Sequence, residues 1–90
     1  MANKRTLKKG IKLICEELFA ECIAASLYGH NADQGNVDAL LYSIIHTQDD
    51  FTARISHPEP GMPAKQYFKV LREKFAAEAS ELIDQINNMY

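Results

Sequence analysis

The sequence predicts an all-α fold, an up-down-up bundle of three helices that dimerises into a larger helical bundle. Three observations carry that expectation. Apolar residues recur at spacings of three and four in three separate segments, which is the helical period. Two short loops rich in turn-forming residues divide those segments, and no stretch alternates apolar and polar as a half-buried strand would. The first segment, finally, turns apolar on every side in its second half: from Leu18 to Tyr28 only Glu21 and Ser26 are polar. A helix without a polar face must be covered on several sides. Ninety residues make one domain, 1–90, with few other elements to do the covering. Either this helix lies centrally or a second subunit completes its burial.

The first helix is expected over about 6–28, with Thr6 as N-cap and Gly29 as the residue past its end. Its main stripe is Leu7, Ile11, Ile14, Leu18, Cys22 and Ala25. Asn, Asp and Gly in the linker 30–36 favour a turn and a cap. The second helix then runs over about 37–56 from an Asn36 cap, with the stripe Val37, Leu40, Leu41, Ile44, Gln48, Phe51 and Ile55. His57-Pro58 ends it, because the residue before proline is pushed out of the helical region. A third helix is expected over about 63–88, opened by Pro63, whose missing N–H costs nothing in a first turn. Its stripe is Phe68, Leu71, Phe75, Ala79, Leu82, Ile86 and Met89. Pairing the helices through short loops places Cys22 near Ile44 and Ala77, and Leu18 near Gln48 and Leu71.

Composition is that of an ordinary globular chain, 47% apolar and 24% charged. The net charge of −2 hides an asymmetry, because Lys4, Arg5, Lys8, Lys9 and Lys12, half of the ten basic residues, precede every acid. Cationic side chains at a helix start oppose its dipole, so Asp49, Asp50 and Glu59 are expected to neutralise them across the bundle. A nucleic-acid-associated regulator using this basic segment is the alternative reading. Against it stand the lack of interleaved aromatics, of zinc-finger spacing and of a short helix-turn-helix pattern. Cys15 and Cys22 lie two helical turns apart, about 10 Å, too far for a disulfide, and read as reduced core residues. The basic start imitates a signal peptide, but Glu16, Glu17 and Glu21 interrupt the would-be apolar region. A cytoplasmic protein without a membrane contact is expected.

Phe19, Ile23 and Leu27 form a second apolar row beside the main stripe and are the expected interface residues of a homodimer or of another protein partner. Gln48 sits in the second helix's stripe, where a buried amide can fix register. Two arrangements bear on a metal-dependent activity: Glu21 with Glu78, carboxylates at similar bundle depth, and His46 with Asp50 at helical spacing beside Tyr42 and Asp49. Neither has an evident third donor, and no cofactor is implied. No G-x-S-x-G motif or glycine-rich phosphate loop occurs, so the sequence offers no recognisable catalytic arrangement.

The run Leu7-Lys8-Lys9-Gly10-Ile11, followed by Ile14-Cys15-Glu16-Glu17-Leu18-Phe19-Ala20-Glu21-Cys22, resembles the start of a family of small uncharacterised bacterial helical proteins. The resemblance covers about the first quarter of the chain. It implies a bacterial cytosolic origin, and it assigns no role to any of these positions because the family has no assigned activity.

Overall fold

The computed structural model describes residues 4–90; residues 1–3 of the expected domain lie outside the described part. Helix α1 spans Lys4–Tyr28, α2 Gln34–Ser56 and α3 Ala64–Asn87. No strand occurs among the described residues. The helices run up, down and up in a rod of 47 × 19 × 16 Å. The all-α three-helix bundle is therefore the fold.

The boundaries depart from expectation where local polar chemistry was misread. Thr6 lies inside α1, which already runs from Lys4. The α2 cap is Asp33, whose extended backbone aims its carboxylate at the Asn36 N–H, 3.3 Å away. That starts α2 three residues before the expected Val37, and Gly35 becomes helical instead of belonging to the linker. Gly29 closes α1, its N–H donating to the Ala25 carbonyl at 2.8 Å. It does so without positive φ; its role is close approach, because a side chain here would run into the carbonyls of Ala25 and Met89. The Met89 carbonyl also accepts from the Asn31 N–H at 2.9 Å, tying the end of α3 to the α1–α2 loop.

One continuous core joins the three stripes. α1 contributes Ile11, Cys15, Leu18, Cys22 and Ala25; Cys15 takes the buried place expected of Ile14, which is 42% exposed. On α2 the buried polar residue is Thr47, while Gln48 is only half-buried at the edge of the stripe. The expected α3 stripe is buried from Leu71 to Met89, with Phe68 packed against it. Phe51 and Phe75 meet edge to face with centroids 5.3 Å apart, a geometry that favours both rings.

α1 and α2 form the most extensively packed pair, and α3 lies along one side of it. Its register differs from the expected one. Ile11 shares a groove with Phe75, so α3 sits about three turns further toward the start of α1 than the Leu18–Leu71 pairing required. The Pro58–Met62 connection carries the chain past the end of α2 before α3 begins, and the Tyr67 hydroxyl then fastens that start to the Arg54 carbonyl at 2.9 Å.

Candidate functional site

α3 covers only one flank of the α1–α2 pair. Leu7, Gly10, Ile11 and Ile14 of α1 line a groove of about 380 Å³ against Arg72, Phe75, Ala76 and Ala79 of α3. On α2 the side chains that line grooves against α3 are Asn36, Ala39, Leu40 and Ser43 at one end and His46, Thr47, Asp50 and Arg54 at the other. At about 100° per residue, the opposite flank of the pair is formed by Phe19 and Ile23 of α1 with Leu41, Ile45 and Gln48 of α2. Phe19 and Leu41 are half-buried against the core and make the floor of this open face. Ile23, 40% exposed, and Ile45, 50% exposed, stand at its rim.

The expected row is thus present but not flat. Positions four apart drift by about 40° around a helix, so Phe19, Ile23 and Leu27 wind progressively outward. Phe19 is half-buried, and Leu27, on the outer side of α1, is 70% exposed. The chain's own fold leaves the outer side of the second half of α1 uncovered, with Ala20, Glu21, Ile23, Leu27 and Tyr28 all exposed. Sequence reasoning missed Ile45 and Tyr42, which extend the same apolar surface on α2. The available signal was Ile45 next to Ile44, a side chain about 100° off the α2 stripe with nothing expected to cover it.

The basic segment lies on α1 as two i,i+4 rows, Lys4-Lys8-Lys12 and Arg5-Lys9, with Lys8 half-buried and the other four exposed. The expected neutralisers do not reach it. Asp50 pairs with Arg54 at 3.0 Å within α2, and that is the only ion pair among the described residues. Asp49 and Glu59 form none.

The two metal-type arrangements stay incomplete. Glu78 lines the α2–α3 groove and Glu21 does not, and both are exposed. His46 stacks on Tyr42, with centroids 6.2 Å apart and rings 6° from parallel, while Asp50 engages Arg54. Among the described residues no three His, Cys, Asp or Glu side chains converge as an ion would require. Burial raises the thiol pKa of both Cys15 and Cys22, which disfavours the thiolate and any nucleophilic role. No helix of the described residues is long and apolar enough to cross a membrane.

No family model, no curated protein and no solved structure gives a significant match to the chain.

Proposed function

We propose that this protein is a small cytosolic interaction module that acts as a homodimer, joined through the open face of α1 and α2. The observation that carries the reading is the one-sided placement of α3. It leaves Ile23 and Ile45 exposed over a floor of Phe19 and Leu41, with Leu27 and Tyr42 continuing the apolar surface outward. A contiguous apolar face of this kind on a small domain marks an association surface. A two-fold axis through it would set each copy's Ile23 and Ile45 over the other's Phe19 and Leu41, the self-complementarity that a closed dimer requires. Two buried thiols that form no disulfide suit a reducing compartment.

Charge substitution at the rim tests the reading. Ile23→Asp and, separately, Ile45→Asp place a carboxylate in the contact while touching no buried core residue. Each is expected to give a folded monomer by sedimentation, with helicity unchanged. A dimer that survives both substitutions would refute the assignment of this face.

A further inference from the structure

The fold does to the charges what the sequence does only in part. α1 and α3 both begin at one end of the rod, where α2 finishes. The antiparallel course therefore brings Arg54, Lys65, Lys69, Arg72 and Lys74 to the end already occupied by the five basic residues of α1. All ten cations of the chain lie in that half. Counting Asp50 and Glu78, which line one groove with Arg54 and Lys74, together with Asp49, Glu59 and Glu73, it holds five carboxylates, for a formal charge of +5. The other half holds the remaining seven carboxylates and no lysine or arginine, a formal −7.

Such a concentration of like charge repels itself, and the two basic rows also oppose the α1 dipole. Only Arg54 has an ionic partner among the described residues. An external polyanion would relieve both unfavourable terms at once. We propose that the basic end binds the phosphate backbone of duplex nucleic acid, without base selectivity, through the two rows on α1. The rows present five cations along about 12 Å of helix, a spacing of the same order as successive phosphates on one strand. The acidic half then stands away from the duplex, so the contact is end-on.

A nucleic-acid backbone fits better than an anionic membrane because of where the apolar surface lies. Peripheral helices hold membranes by burying apolar side chains beside their cations. Here seven of the nine large exposed apolar side chains, Ile23 and Ile45 among them, lie in the acidic half. Of the other two, Leu13 continues the Arg5-Lys9 row one turn beyond the cations and Ile14 lines the α1–α3 groove, so apolar surface beside the basic rows is limited to this one turn. This contact is separate from the proposed dimer face and does not depend on it.

The test is fluorescence anisotropy of two unrelated labelled duplexes titrated with the full chain over a salt series, beside flotation with vesicles containing phosphatidylserine. Five neutralised phosphates predict that log K falls with log salt at a slope of about −4.5. The pair Lys8→Ala and Lys12→Ala should reduce that slope by about two and weaken both duplexes alike, with the helical signal retained. Ile23→Asp should leave the slope per chain unchanged. Absence of binding at 50 mM salt would overturn the proposal. So would a slope indifferent to the lysine pair, or retention by vesicles with no duplex binding.

Discussion

The two halves of the rod share a core and differ in nearly everything outside it. The half where α1 and α3 begin holds every lysine and arginine, whereas the opposite half holds seven carboxylates and most of the exposed apolar side chains. Buried residues run through both without a break, from Ile11 and Ile55 at the basic end to Ala25 and Val37 at the acidic one. Folding and association are thus assigned to different surfaces of the same helices. An outward side chain on α1 is a cation, a carboxylate or an apolar contact according to its height along the rod.

The comparison breaks first if the core is not equally firm at both ends. Ile44 is 1% exposed in the acidic half and Ile55 is fully buried in the basic half. Ile44→Ala and Ile55→Ala should each destabilise by about 2–5 kcal/mol in urea denaturation. A much smaller loss at Ile55 would show that charge repulsion has loosened the basic end, making the contrast one of stability as well as of surface.

The glycines sharpen it next. Gly29→Ala forces a methyl group against the Met89 and Ala25 carbonyls, where the end of α3 is tied down, and should cost about 1–3 kcal/mol. Gly10→Ala meets open space within a helix at the basic end and should stabilise by up to about 1 kcal/mol. Thermal unfolding of the two variants, shifted in opposite directions, checks both. Equal shifts would mean that the Met89 contact does not hold the end closed.

Much of this was legible in the sequence, and the losses have physical causes. Three helices and nearly all of the core follow from apolar spacing, because a bundle core is set by one face of each helix. The α2 start was lost because Asp33, three residues ahead of Asn36, is the better acceptor for an N-terminal amide. Gln48 falls in the expected stripe but lies at its half-buried edge, where the stripe reaches solvent, and Thr47 takes the buried position, since a shift of one residue turns a helix by about 100°. For the interface, Phe19, Ile23 and Leu27 were visible on α1, but Ile45 acquires meaning only once α3 is seen to lie on one flank. Half of the basic end was plain as a run of lysines. The other half required the antiparallel path, because Lys65, Lys69, Arg72 and Lys74 lie far along the chain from Lys4.

The smallest effect concerns the one ion pair. Asp50→Asn removes Arg54's partner on the solvent-facing side of α2 and should change stability by no more than about 0.5 kcal/mol in the same denaturation assay. A larger loss would mean that the waist carboxylates restrain the basic end after all, as the sequence alone suggested.

The most direct test of the central claim, that the acidic half carries the association face, is solution mass by light scattering across a dilution series at low and high salt. The account predicts a mass near twice 10.2 kDa that persists or strengthens with salt, because an apolar contact brings two acidic halves together. A mass of 10.2 kDa at every concentration and salt would contradict it.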